Sequence, residues 1–438
     1  MPVESNQVFG PYLDDLKQVF RVHHDLLDLP SLPVQRVPVL LYADDLALVA
    51  TSPEGLQAQL DLLHAYAAKW KLTVNIDKTK AVVFRQSSTN QVYPPPIYDG
   101  ASIELVESFK YLGVELHCTK PFASAALPRF ETGERSQFAL FSRCAELGIN
   151  NPALRMQLWD SLVQPTLMYG VEFWGVRDIS KRMLAGDQLH RDFLRRLLGV
   201  HSGTPNMAVL AEVGRYPMAV KAAKHLCNFW NRLVEMDDGR LVKQAFLQSA
   251  VLGPLTHSNS AHKSWAGQVV SFLATLGMPC DLIAPQSVNV SAVVEKLQSS
   301  YLESVNACSG VKMQQYLHLR SEVDSASYTP AAYLQAVGGW RQRKHLAQLR
   351  TGSHWLAVET GRYGNARVER AQRLCQRCDA NSVDDVEHMI FDCVAMDAER
   401  QKHQSLFARG RVALVDFFIQ DPTELAAFVH DCCKACKE

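Results

Sequence analysis

Residues 37–51, VPVLLYADDLALVAT, set two adjacent carboxylates, Asp44 and Asp45, in the middle of an otherwise apolar run. The Val-, Leu- and Ala-rich stretches on either side predict two short strands, with Tyr42-Ala43-Asp44-Asp45 at the turn between them. Such flanks predict a buried hairpin. An unpaired carboxylate in an apolar interior costs several kcal/mol, roughly, so burial implies a metal ion or basic partners for the pair. Mg²⁺ suits it, because that ion is held by one or two carboxylates together with substrate phosphates. The plain alternative is a polar hairpin turn with no ligand, since aspartates are common turn residues.

Downstream, Ser52-Pro53 predicts a helix start, with Leu56, Leu60, Leu63, Ala67 and Trp70 on one apolar stripe. Residues 72–80, LTVNIDKTK, lead into strand-like Ala81-Val82-Val83-Phe84. A loop running from Ser87-Ser88-Thr89-Asn90 to Pro94-Pro95-Pro96 precedes Phe109-Lys110-Tyr111-Leu112-Gly113-Val114. In this order the motifs resemble the reverse transcriptases of non-LTR (LINE-type) retrotransposons. Tyr42-x-Asp44-Asp45 looks like their catalytic hairpin, Asn75-x-x-Lys78-Thr79-Lys80 like their N-x-x-K-T-K segment, and Phe109 to Gly113 like the hairpin that grips the primer end. The resemblance implies Asp44 and Asp45 as catalytic Mg²⁺ ligands. It also implies Lys78 or Lys80 at the departing pyrophosphate, and an RNA template with a DNA primer as partners.

A second Tyr-x-Asp-Asp, Tyr12-Leu13-Asp14-Asp15, is followed by the mixed segment LKQVFR, which suits a surface helix and provides no second strand. It resembles the helical tail after the template-contacting motif of the same family. Another palm aspartate belongs before that motif in these enzymes, and Asp25 and Asp28 stand on its wrong side. With 41 residues ahead of Tyr42, the expectation is a fragment without fingers or the first palm aspartate, inactive alone.

Near the other end, Cys375-x₂-Cys378-x₉-His388-x₄-Cys393 predicts a closed tetrahedral Zn²⁺ site, able to order a segment that lacks its own core. Together with Leu349-Arg350-Thr351-Gly352-Ser353-His354 and Glu359-Thr360-Gly361-Arg362, it resembles the CCHC region of non-LTR retrotransposon proteins. Cys432, Cys433 and Cys436 are expected to be free thiols on a helix. Arg341, Arg343, Lys344 and Arg350 crowd ahead of the motif, interleaved with Trp340 and Trp355, a mixture suited to single-stranded nucleic acid. A solvated helix face is the alternative for that run. Helical spacing over 154–174 carries Met156, Trp159, Leu162, Val163 and Leu167, with Pro165 dividing it. A basic helix over 189–198 offers Arg191, Arg195 and Arg196 to a duplex backbone. These helices resemble the thumb-like region that follows the palm.

With 438 residues, 47% of them hydrophobic, the chain can build two or three cores. It has no apolar run of roughly 18 residues to span a membrane and no secretory segment after Met1. Eleven scattered cysteines suit a reducing compartment rather than a disulfide framework. A formal charge of zero removes any chain-wide attraction for phosphates and leaves local clusters to supply it. The expected class is α+β: a partial polymerase palm over 1–86, a primer-grip hairpin and helical thumb-like region over 97–250, a linker or helical segment over 251–330, and a basic helical region with the zinc module over 331–438. The expected function is that of a reverse transcriptase-like fragment. The runner-up is a non-catalytic zinc-knuckle protein that binds nucleic acid.

Overall fold

The computed structural model describes residues 16–22, 27–33, 36–37, 39–85, 92–119, 123–180, 186–252, 264–320, 328–363 and 368–437. Tyr12 to Asp15, Asp25, Ser87 to Asn90 and parts of the 251–330 segment lie outside them. The chain is α+β, helices predominating, with four two-stranded sheets among the described residues. It divides into two compact units: residues 1–128, 170–181 and 223–293 form the first, and 129–169, 182–222 and 294–438 the second. Each unit is thus drawn from three separate stretches of sequence.

The first unit begins with α1 (Leu16–Val22), followed by β1 (Leu40–Tyr42) and β2 (Asp45–Ala47). These strands pair antiparallel with Tyr42 opposite Asp45, so only Ala43 and Asp44 form the turn. Next comes α2 (Pro53–Trp70), which starts where the sequence predicts: Ser52 caps it by accepting from the Gly55 N–H at 3.0 Å, and Pro53 takes the first position. It ends at Lys71, in the left-handed region at φ 55°. Leu60, Leu63, Tyr66 and Ala67 are buried from this helix, and Leu56 and Trp70 are half-buried beside them. This stripe packs on Leu16, Phe20, Leu27, Leu29, Val39, Tyr98 and Ile103. Gln59 crosses the core to donate to the carbonyls of Leu27 (2.8 Å) and Val49 (3.0 Å), fixing the helix against the stretch after α1 and the residues just beyond β2.

The remaining strands are short. β3 (Lys80–Ala81) pairs parallel with β6 (Glu104–Leu105), and β4 (Ile97–Tyr98) pairs with β5 (Ala101–Ser102). β7 (Ser108–Tyr111) and β8 (Val114–His117) make a hairpin whose turn residues, Leu112 (φ 46°) and Gly113 (φ 81°), are both left-handed. Two positive φ values in a two-residue turn match the right-handed twist of the flanking strands. Only Lys80 and Ala81 of the expected 81–84 strand enter a ladder, and Phe84 is 57% exposed.

Among the longer helices that follow are α3 (Ala126–Glu146), α4 (Pro152–Leu162), α5 (Gly186–Leu198), α6 (Met218–Val234), α7 (Leu241–Leu252), α8 (Trp265–Thr275), α9 (Val290–Asn306), α10 (Val311–Leu319), α11 (Trp340–Arg350) and α12 (Pro422–Ala435). The 154–174 helical pattern is divided at Val163, with short helices Gln164–Leu167 and Val171–Trp174 beyond the break that Pro165 predicts. In the first unit Trp230 and Trp265 pack with Phe246 and donate to the carbonyls of Gln286 and Glu172 at 2.9 and 2.7 Å. Asn231 bonds Val288 in both directions at 2.8 Å, which stitches the polar 285–291 stretch to α6. The second unit centres on Trp159, fully buried and stacked on His190 and Phe193, and on the buried ion pair of Glu212 with Arg350.

Candidate metal centres and basic surface

In the first hairpin the alternation of the strands turns Leu41 and Leu46 toward the core, leaving Tyr42 64% exposed and Asp44 and Asp45 exposed at the tip. The expectation of a buried carboxylate pair is therefore corrected: a turn of two residues extends past the apolar layer, so the pair stays hydrated. What the hairpin offers is two neighbouring carboxylates held on a short rigid tip and open to a ligand. Ala43 adopts φ 51°, a left-handed conformation that costs an alanine roughly 1 kcal/mol. The second hairpin comes near the first: Tyr111 lies at the turn end of β7, and burial together with the charge of Asp45 pushes its hydroxyl pKa up.

Lys78 is exposed, its backbone N–H donating to the Asn75 side chain at 3.2 Å. Lys80, on β3, is half-buried and forms an ion pair of 2.7 Å with Glu104 on the adjoining strand. Among the described residues neither lysine pairs with Asp44 or Asp45.

The four residues Cys375, Cys378, His388 and Cys393 do converge, with one donor atom from each lying within 4.8 Å of the others. Cys375 Sγ is 3.8 Å from Cys393 Sγ, and Cys378 Sγ is 3.3 Å from His388 Nε2. Two sulfurs each about 2.3 Å from a tetrahedral zinc stand about 3.8 Å apart, and a sulfur–nitrogen edge is about 3.6 Å, so the donor set fits that ion. Local folding explains the convergence. Leu374 bridges antiparallel to Val383, and the Cys375 N–H donates to the Ser382 carbonyl at 2.9 Å, closing the knuckle. His388 and Cys393 are spaced by one wide π-type turn, in which the Cys393 N–H donates to the His388 carbonyl at 2.8 Å. Burial and the crowding of Cys375 push the Cys393 thiol up to about 12.

Supporting groups that the motif itself does not reveal hold this cluster. Asp385 accepts from the His388 N–H at 3.1 Å, Arg400 donates to the Cys393 carbonyl at 2.6 Å, and Arg377 pairs with buried Asp384. Asp384 in turn accepts from the Ala357 N–H at 2.8 Å, tying the knuckle to the 357–360 turn. Cys432 and Cys433 are buried on α12, and all eleven cysteines are free thiols.

The basic residues separate into two kinds. Arg341 and Arg196 are exposed, Arg191 is half-buried, and Lys344 lies over the Trp340 ring at 5.2 Å. Arg195 is engaged by Asp192 and by the side chain of Asn206. Arg343 and Arg350 are 6% exposed: the first donates to the carbonyls of Val337, Gly338 and Asn150, the second to Glu212 at 2.7 Å. Their guanidinium groups are committed to the interior, which corrects their reading as nucleic-acid contacts. A signal was present, because 343, 346, 347 and 350 share one helical face with Leu346 and Ala347.

Residues 2–116 match the family model described as reverse transcriptase (RNA-dependent DNA polymerase). This segment is reverse-transcriptase-like. The match includes the first hairpin, α2 and all but the last residue of the second hairpin. Among curated proteins the chain is similar to a transposon-derived protein of Caenorhabditis elegans, 27% identical over 37% of this chain and 56% of that protein. It is also similar to the RNA-directed DNA polymerases from mobile element jockey of Drosophila funebris and Drosophila melanogaster, each 26% identical over 32% of this chain and 16% of the polymerase. The matched stretch thus spans about half of the first relative and a small part of the polymerases. No helix among the described residues is long and apolar enough to cross a membrane.

Proposed function

We propose that this chain serves RNA-directed DNA synthesis by a non-LTR retrotransposon, with Asp44 and Asp45 as ligands of catalytic Mg²⁺. The observation that carries this reading is the exposure of the two carboxylates at the hairpin tip, Asp44 in the two-residue turn and Asp45 at the first position of β2, inside the reverse-transcriptase-like segment. Mg²⁺ bound there would activate the primer 3′ hydroxyl and neutralise developing phosphate charge. The chain's own part is to present both carboxylates on a short hairpin braced by the core behind Leu41 and Leu46. Lys78, exposed and without an ion-pair partner among the described residues, is the better placed of the two lysines to meet a triphosphate, since Lys80 already pairs with Glu104.

Mn²⁺ is a convenient probe of the site. Paramagnetic broadening of NMR resonances centred on Tyr42 to Leu46, abolished in Asp44→Asn and Asp45→Asn, is the expected result, together with loss of RNA-templated primer extension when the same substitutions are made in a longer chain that also carries a first palm aspartate. Broadening elsewhere, or extension unchanged by both substitutions, refutes the assignment.

A second reading, zinc-dependent binding of nucleic acid without polymerisation, is favoured by the donor spacing of the Cys375–Cys378–His388–Cys393 cluster. In that reading the Zn²⁺ is structural and the contacts come from neighbouring cations.

A further inference from the structure

An open cleft of about 630 Å³ lies in the second unit between the start of α11 and the outer face of α12, with Lys402 and His403 at its edge. Its walls bring together side chains far apart in sequence: Trp340 and Arg341 from α11, His430 and Lys434 from α12. We propose, resting on the reading of a zinc-dependent nucleic-acid binder given above, that this cleft is where a single strand is held, Trp340 stacking on a base while Arg341 and Lys434 neutralise the adjoining phosphates.

Three observations carry the assignment. Arg341, Lys344 and Lys434 have no carboxylate partner among the described residues, in a chain whose net charge is zero and where many other cations are paired. The one carboxylate on the cleft wall, Asp431, is already occupied by Lys402 and His403 and does not oppose an anion. Trp340 is 39% exposed, and the ammonium of Lys344 lies over one face of its ring at 5.2 Å, so a stacking base takes the opposite face or displaces the lysine toward a phosphate. Cations flanking an exposed indole suit a strand whose bases are free to stack, whereas a duplex keeps its base faces inside.

The cleft also depends on the metal cluster. Lys402 and His403 end the short helix Asp397–Lys402, which Arg400 anchors to the carbonyls of Ile390 and Cys393. His403 then bridges Glu424 at 2.7 Å and Asp431 at 3.1 Å on α12. One wall is therefore built from the segment that zinc ligation would order.

The test is equilibrium binding of fluorescently labelled oligouridylate, oligothymidylate and a duplex of matched length to the zinc-loaded full chain, without Mg²⁺ or nucleotides. Because no polymerisation is read, the outcome is independent of Asp44 and Asp45. Binding of either single strand in preference to the duplex is expected. Trp340→Ala should weaken it by roughly tenfold or more, and Arg341→Gln and Lys434→Gln should each reduce the log–log salt slope by about 0.7. All three positions are exposed, and an unchanged circular dichroism spectrum and zinc content establish that the variants are folded. Equal or tighter binding of the duplex, no measurable binding of either strand, or full affinity in folded Trp340→Ala overturns the proposal.

Discussion

His190 is fully buried with its ring stacked on Trp159 at 4.6 Å, and neither ring nitrogen has a hydrogen-bond partner among the described residues. Burial, reinforced by the charges of Arg215 and Lys221, lowers its pKa from 6.5 to about 3. The folded protein thus refuses a proton that the unfolded chain accepts below 6.5, so stability is full above that value and declines as pH falls toward 3. At pH 5 the loss is about 2 kcal/mol from this residue. His190→Phe keeps the stack and removes this titration, so the difference between stabilities measured by urea at pH 7 and pH 5 should shrink by about 2 kcal/mol in the variant, the remainder coming from groups such as buried His354, whose pKa is likewise lowered to about 3. An undiminished pH dependence would assign acid sensitivity elsewhere. Arg350 gives a second prediction at this scale. Its removal strands Glu212, which is 1% exposed, so Arg350→Met should cost roughly 3–5 kcal/mol of stability, partly restored by adding Glu212→Gln. In the sequence Arg350 is indistinguishable from Arg341 by type, and its partner is 138 positions away. Pairing at such a distance is a tertiary fact that a local basic run does not encode.

At the scale of elements, what was legible is what local rules determine. The start of α2 follows from a hydroxyl before a proline, the division of the 154–174 pattern from Pro165, and the second hairpin from Leu112-Gly113, where glycine takes one of two positive φ values. The first hairpin breaks such a rule by placing alanine at φ 51°. Ala43→Gly relieves that conformation and should raise stability by roughly 0.5–1 kcal/mol, read as a higher urea midpoint. A lowered midpoint would show that the alanine methyl packs usefully. The knuckle was legible from ligand spacing, while Asp384, Asp385 and Arg400 were not, since a carboxylate or guanidinium near a motif has no distinctive signature. Chelation at neutral pH should release about one zinc per chain and raise amide exchange over 373–400, leaving α2 protected. Cys375→Ser should do the same without chelator. Substoichiometric zinc in freshly purified protein, or exchange unaffected by its removal, would overturn the structural-metal reading.

At the scale of the whole molecule, zero net charge conceals an uneven distribution. Many carboxylates and cations cancel in pairs, among them Asp160–Arg215, Glu212–Arg350 and Asp384–Arg377, while Arg341 and Lys434 on the cleft wall, and Lys344 over Trp340, have no carboxylate partner among the described residues. Affinity for nucleic acid should therefore respond to salt with a small slope, as a few phosphate contacts give, rather than the steep dependence of a generally basic protein. A slope implying many contacts in a titration from low to moderate salt would contradict a localised site. Segment boundaries read from composition follow the order of the chain, but packing does not. Residues 129–169 complete their unit only with 182–222 and 294–438.

That interleaving bears on how the protein is made. The pairing of Trp159 with His190 and Phe193 can form early, but Glu212 waits for Arg350, and α11 waits for α12, its most extensive helical neighbour. Until those later stretches leave the ribosome, the faces of α4 and α5 stay wet and adhesive. High contact order of this kind slows folding and prolongs exposure to aggregation, so synthesis should favour chaperone assistance and a low translation temperature.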